Sequence, residues 1–398
     1  EAASRTAAIK VMVVGFGARG ELARCVEASS IRAEVVAVID PTPEGLVRAG
    51  GQHPGAGLFG SVREALDSGA RIDAALVLSP DDTHEQVAVE LLRAGVAVYL
   101  EKPMATTVAG ADSIIAAARA TATPAYVGHN FRRTALIQTL KSVIDQGLIG
   151  EVKTIWVRHF VGHGGDYYFK DWHADRSRSG GLLLQKASHD IDAIHHLAGA
   201  FTRRVSAMGS LMVYGRAGRR GIGAARGEGH GDGDHQAPGA IMPDWFSLEN
   251  WPPAAQTGLN AVVDVEDVSL VNLELANGVL ASYSQCHFTP DYWRNYTIIG
   301  SEGRAENFGD TTGGVIKVWN RRRDWDLAGD VEIPIPGTAP GHRDADQATI
   351  DEFLRLLVQG GPTSTNLTAS RQAVATACQA TDSLRHWAQP RDVSGPTS

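Results

Sequence analysis

Three glycines at the spacing G-x-G-x-x-G, Gly15, Gly17 and Gly20, follow the apolar run Val11-Met12-Val13-Val14 and precede helix-forming residues from Glu21 onward. Glycines so placed suit a dinucleotide. Gly15 permits a tight turn, Gly17 lets a pyrophosphate approach bare backbone between Phe16 and Ala18, and Gly20 lets helix and strand pack closely. A second apolar run, Val35 to Ile39, ends in Asp40, about twenty residues on, where a carboxylate accepts a hydrogen bond from a ribose 2'-hydroxyl. The stretch Pro41-Thr42-Pro43-Glu44 offers no arginine for a 2'-phosphate, so the expected cofactor is NAD. Arg19, inside the turn, is the side chain through which NADP stays a secondary possibility. Between His163 and His173 the chain is dense in aromatic and hydrogen-bonding groups, the mixture that holds carbohydrate, with ring faces on aromatics and hydroxyls on polar side chains. Tyr168, Trp172, His173 and Arg176 are the substrate-side candidates there. His189, Asp192 and His196 share one helical face, a spacing that can ligate metal. No metal is expected, and His230, Asp232, Asp234 and His235 sit in a glycine-rich tract that would hold one only weakly.

The elements that position these residues follow from pattern. The chain has 398 residues, 43% of them hydrophobic, with a net charge of -8. That length implies two or three domains with well-formed cores. The charge predicts no face for nucleic acid. Cys25, Cys286 and Cys378 lie far apart and form no C-x-x-C, as expected of reduced thiols rather than a disulfide or zinc framework. No apolar run approaches a membrane span and residues 1–8 lack a signal peptide's apolar centre, so a cytoplasmic protein is expected. From Ile9 to about Phe131 strands and helices alternate, the pattern of a parallel sheet wound with helices. In such a sheet ligands sit at the carboxyl ends of strands. Gly15 to Gly20, Asp40, Ser79-Pro80 with His84, and Glu101-Lys102-Pro103 should therefore converge on one crevice. Beyond Gly147 longer alternating strands are predicted over Val152–Phe160, Val205–Val213, Asp267–Leu275 and Val279–Cys286, the last two joined by the hairpin signal Asn277-Gly278. The expected fold is α/β. An N-terminal Rossmann domain over 1–130 is followed over 131–398 by an α/β domain with a large open, mostly antiparallel sheet, interrupted by a Gly-rich surface insertion near 215–240. Two late helices, one carrying Ile350, Phe353, Leu354 and Leu357, close that second domain.

Taken together, the glycine turn, Glu101-Lys102-Pro103 after a strand, the pair Gly180-Gly181, and His189 with Asp192 three residues later resemble the Gfo/Idh/MocA family of oxidoreductases. The resemblance extends over almost the whole chain. It implies oxidation or reduction of a secondary alcohol of a sugar or cyclitol with NAD(P), and homodimers or homotetramers built through the second domain's sheet. Many members carry aspartate four residues before the histidine. This chain has Gln185 there, followed by Lys186, and the Lys186–His189 pairing resembles a sugar-active branch.

Oxidising a secondary alcohol requires a hydride acceptor, a base for the hydroxyl proton and a charge that stabilises the developing alkoxide. His189 suits the base and Lys102 the electrostatic partner. Lys186 either shares that electrostatic role or binds a sugar hydroxyl. Glu101, Lys102, Ser79, Pro80, His84 and Asn130 are expected at the cofactor, and His129 and Gln185 at the substrate. Two other functions fit the same residues: redox-assisted cleavage of a glycosidic bond by an enzyme that retains its NAD, and a non-catalytic sugar or nucleotide sensor.

Overall fold

In the computed structural model the described residues are 7–162, 167–215, 251–253, 256–337 and 343–396. All but the first residue of the Gly-rich insertion expected near 215–240, the histidines and aspartates within it, and His163 lie outside them. The chain divides into two compact units.

The first unit winds β1 (Ile9–Val14), α1 (Leu22–Ala28), β2 (Ala33–Ile39), α2 (Pro43–Gln52), β3 (Gly57–Phe59), α3 (Val62–Asp67), β4 (Ala74–Val77), α4 (His84–Arg93), β5 (Ala97–Leu100), α5 (Val108–Thr121) and β6 (Ala125–Val127) into a six-stranded sheet of order β3-β2-β1-β4-β5-β6. All its neighbouring pairs are parallel. The central strands are apolar on both faces because helices cover both. Val11, Val13, Leu76 and Tyr99 are fully buried with Leu22 and Val26. Thr42, Ser61 and Thr107 cap α2, α3 and α5 through their hydroxyl oxygens. The same core contains Ile350, Phe353 and Leu354 of a late helix, Arg343–Gln359. Residues 344–370 thus return to the N-terminal unit, where the sequence pattern placed that helix in the second domain. The apolar stripe announces a buried helix without saying which core buries it.

The second unit contains α6 (Ala135–Asp145), β7 (Val152–Val161), α7 (Arg176–Ser179), α8 (Leu182–Gln185), α9 (Ser188–Ala198), β8 (Thr202–Ser210), β9 (Val268–Leu275), β10 (Leu280–Cys286), β11 (Tyr292–Gly300), β12 (Arg304–Phe308), β13 (Val315–Trp319) and β14 (Val331–Pro334). The helix over Arg343–Gln359 is α10, and α11 (Leu367–Arg385) and β15 (Arg391–Asp392) follow. Among the described residues nine strands form one sheet of order β14-β13-β12-β11-β7-β10-β9-β8-β15, in which only β7 and β10 pair in parallel and the remaining neighbours are antiparallel. Asn277-Gly278 turns β9 into β10, with Gly278 at φ +87°. Strand β8 ends at Ser210 rather than Val213 because the Asp267 carboxylate takes the backbone N–H groups of Met212, Val213 and Tyr214. One sheet face meets α9, while Trp156, Met208, Leu270 and Leu280 are exposed on the strands.

Candidate active site

At the carboxyl ends of β1, β2, β4 and β5 the first unit gathers the residues expected at the cofactor. Gly15 has φ +88°, and a Cβ there would stand 2.7 Å from the backbone of Ser79. Only glycine fits. Gly17 differs: a Cβ there would meet nothing within 4 Å, so this stretch of backbone faces open space that a methyl group would fill. The Phe16 N–H donates to Asp40 Oδ2 at 2.8 Å, and Thr42 donates to Oδ1 through its N–H at 2.9 Å and its hydroxyl at 2.5 Å. Asp40 is therefore a strut of the glycine turn as well as an acceptor, with three of about four lone-pair sites filled. Arg48 of α2, absent from the sequence argument, donates to the Phe16 carbonyl at 2.9 Å.

Arg19 points inward. Its guanidinium donates to Glu101 Oε1 at 2.6 and 3.0 Å and to both Asp346 oxygens at 3.0 Å, and Asn130 donates to Asp346 at 2.7 Å. The one side chain through which NADP was a possibility is committed to two carboxylates. Open glycine backbone at Gly17 and a carboxylate at the end of β2 fit NAD; the cation nearest the turn besides Arg19 is Arg48, on the Phe16 carbonyl. His84 is likewise turned to protein rather than to a ligand. It is buried, with Nδ1 2.8 Å from the Pro103 carbonyl and Nε2 2.9 Å from the Ser79 carbonyl, so it ties the loop after β4 to the loop that carries Lys102. Lys102 is half-buried beside Asp81. Burial pushes the Asp81 carboxyl well up, and the Lys102 charge opposes that.

The second unit carries the other cluster. Gly180 at φ +70° ends α7 and Gly181 at φ +99° begins α8; Lys186 caps the end of α8 and His189 stands in the first turn of α9. Lys186 is 8% exposed. Its ammonium lies 5.1 Å from the ring centre of Tyr168, 5.7 Å from that of Tyr292 and 3.5 Å from the Tyr292 hydroxyl. Tyr168 meets His173 edge-on at 5.4 Å, and His173 stacks on Trp172 at 3.8 Å and is fixed by Asp171 at 2.5 Å. Four expected substrate-side residues, Tyr168, Trp172, His173 and Lys186, therefore stand together. Gln185 is buried beside them in the chain. Arg176 does not join them; it is 42% exposed and faces Asp264. His189 packs edge-on to Phe131 at 5.9 Å. Asp192 is taken by Arg132 at 2.6 and 2.7 Å, and no group of metal-binding side chains forms among the described residues. His129 is buried in the first unit.

Beneath Lys186 lies a buried network that sequence reasoning missed. Arg294 on β11, 1% exposed, pairs with Asp190 of α9 at 3.1 Å, lies 4.5 Å over the Phe131 ring and reaches the Tyr292 hydroxyl at 3.4 Å. Asp190 also accepts from Tyr296 at 2.5 Å and faces His159 Nδ1 at 3.3 Å. Burial alone would raise the Asp190 carboxyl, but Arg294, His159 and Tyr296 hold it well below the usual carboxylate range. His159 is pushed down to about 3 by burial and by the Arg294 charge, so its contact with Asp190 is a hydrogen bond of a neutral ring, not an ion pair. Lys186 is lowered to about 7 by burial and then by Arg294, with Asp190 opposing. An arginine at an inward position of a strand is the sequence signal that marks such a network.

The description "Oxidoreductase family, NAD-binding Rossmann fold" of Gfo/Idh/MocA matches residues 9–129, and the GFO/IDH/MocA C-terminal domain matches residues 137–306. The chain belongs to the Gfo/Idh/MocA family of oxidoreductases. Its N-terminal unit is an NAD-binding Rossmann domain. Among curated relatives, the inositol 2-dehydrogenase of Rhizobium meliloti (strain 1021) is 27% identical over 52% of this chain and 59% of its own length. The myo-inositol 2-dehydrogenase of Thermotoga maritima is 28% identical over 38% of this chain and 43% of its own. The chain thus spans less than two thirds of these relatives. A solved levoglucosan dehydrogenase in complex with NADH superposes with a TM-score of 0.77 over 98% of this chain and 100% of that one, at 18% identity, which establishes a shared fold. No helix among the described residues is long and apolar enough to cross a membrane.

Proposed function

We propose that the chain transfers a hydride between NAD and a secondary alcohol of a pyranoside sugar, glycoside or cyclitol. The observation that carries this reading is the Lys186 cluster, a buried amine walled by Tyr168, with Trp172 and His173 alongside, in a chain whose other unit binds NAD. Relatives named for inositol and a fold neighbour named for levoglucosan support the substrate class.

The turn Gly15–Gly20 and Asp40 would hold NAD, which when bound supplies the hydride acceptor. Lys102, carried just past the end of β5, stabilises negative charge on the reacting oxygen. The aromatic faces of Tyr168 and Trp172 hold a ring, and His173, fixed by Asp171, binds a hydroxyl. The Lys186–His189 segment supplies the group that exchanges the hydroxyl proton. The exposed sheet face with Trp156, Leu270 and Leu280 serves self-association, which light scattering of the purified chain would show as a dimer or tetramer.

The test is to mix the purified chain with NAD or NADP and a panel of sugars, glycosides and inositols, following absorbance of the reduced nicotinamide. Stoichiometric accumulation with NAD is expected. Product formed without net reduced cofactor would replace this reading by redox-assisted bond cleavage, and NAD binding without turnover on any alcohol by a sensor.

A further inference from the structure

A dehydrogenase of this kind needs one base, and the cluster offers two, Lys186 and His189. Lysine in water keeps its proton far above neutrality, so a lysine base must be deprived of whatever stabilises its charge. That condition is met at Lys186. Among the described residues its one hydrogen-bond partner is the Tyr292 hydroxyl, at 3.5 Å. The nearest carboxylate, Asp190, is spent on Arg294, Tyr296 and His159. Arg294 approaches from β11 through the same Tyr292 hydroxyl and adds a second positive charge. The other groups facing the amine are neutral: Tyr168 below it, His287 after β10, and His159 on β7, both rings lowered by burial. The preceding side chain, Gln185, contributes no charge. Lys186 keeps 8% of its surface exposed.

We infer that Lys186, as the free amine, is the catalytic base that takes the hydroxyl proton, and that His189 orients the substrate. In the oxidation the alcohol O–H bond breaks and a new N–H bond forms on Lys186. The electron pair left on oxygen becomes the second bond of the ketone as the carbon's hydrogen leaves with its pair to the nicotinamide. In reduction the Lys186 ammonium returns the proton. Gln185 and Arg294 act through Lys186 as positioning residues, by withholding negative charge and by supplying positive charge.

This assignment rests on the proposed dehydrogenase reading, so it is tested with turnover and without it. In the full chain, kcat/KM for oxidation should rise with pH through a limb near 7, the value to which burial and Arg294 bring the amine. Lys186→Gln should lower kcat/KM by about 10²- to 10⁴-fold and abolish the limb. His189→Asn should lower it with the limb in place. Gln185→Glu should move the limb upward by about one unit or more by stabilising the ammonium. A limb that survives Lys186→Gln and disappears in His189→Asn overturns the assignment while leaving the dehydrogenase reading intact. Independently of activity, the Cε resonance of Lys186 in 13C-lysine-labelled protein, identified by its loss in Lys186→Gln, should titrate near 7. A midpoint in the ordinary lysine range overturns the assignment even if no alcohol in the panel is oxidised.

Discussion

Gly15 and Gly17 stand two residues apart and do different work, which substitution by alanine should separate. At Gly15 a methyl would press into the Ser79 backbone at 2.7 Å in a left-handed conformation. Gly15→Ala should therefore lose about 1–3 kcal/mol of stability together with NAD affinity, seen as a lower denaturation midpoint. At Gly17 a methyl meets nothing within 4 Å. Gly17→Ala should keep the midpoint and weaken NAD by tenfold or more, about 1.4 kcal/mol, in a fluorescence titration. Normal NAD affinity in Gly17→Ala would remove the pyrophosphate from that turn. The turn itself was legible in the sequence because it is local: strand, glycines and helix start are contiguous. Arg294 was not, because its meaning depends on Asp190, 104 positions earlier in the chain. Nor was the inward commitment of Arg19, whose partner Asp346 lies 327 positions away.

At the scale of elements, β7, α9 and β11 are joined by buried polar groups where an apolar core would have sufficed, and that choice leaves a signature in acid. His159 on β7 is held neutral down to about 3 by burial and by the charge of Arg294. In the unfolded chain its pKa returns to about 6.5. Between those values the unfolded state binds a proton that the folded ring refuses, so stability falls as pH drops through that window and is fully present above it. The slope from this one residue is at most about 1.4 kcal/mol per pH unit. Urea denaturation between pH 7 and 4 should show the loss, and His159→Gln should flatten it; an unchanged slope in that variant would move the acid sensitivity elsewhere. The strands themselves were legible from alternation, and the β9–β10 turn from Asn277-Gly278. The end of β8 was not, because Asp267 truncates that strand by taking backbone donors across a gap of more than fifty residues.

At the scale of the whole chain, the N-terminal unit is not complete at Asn130. Helix α10 supplies Ile350, Phe353 and Leu354 to its core, Asp346 to Arg19, and Thr349 and Glu352 to the buried hydroxyls of Tyr99 (3.0 Å) and Tyr126 (2.8 Å). The sequence announces α10 by its apolar stripe but holds no mark of destination, since a stripe fits any core of matching shape. A fragment of residues 1–130 would therefore expose the stacked rings of Tyr99 and Tyr126, which meet at 5.6 Å and both border Phe353, and leave two buried hydroxyls without their partners. Such a fragment should show broadened amide spectra and weak NAD binding, whereas joining residues 343–370 to it through a flexible linker should restore dispersion and affinity together. In the full chain the same dependence should appear as a loss of about 3–5 kcal/mol for Phe353→Ala, the usual range for a buried phenylalanine, accompanied by weaker NAD binding although residue 353 lies more than three hundred positions from the glycine turn. If the 1–130 fragment alone bound NAD as tightly as the full chain, α10 would be an ornament on a self-sufficient sheet, and the return of the chain would need another explanation.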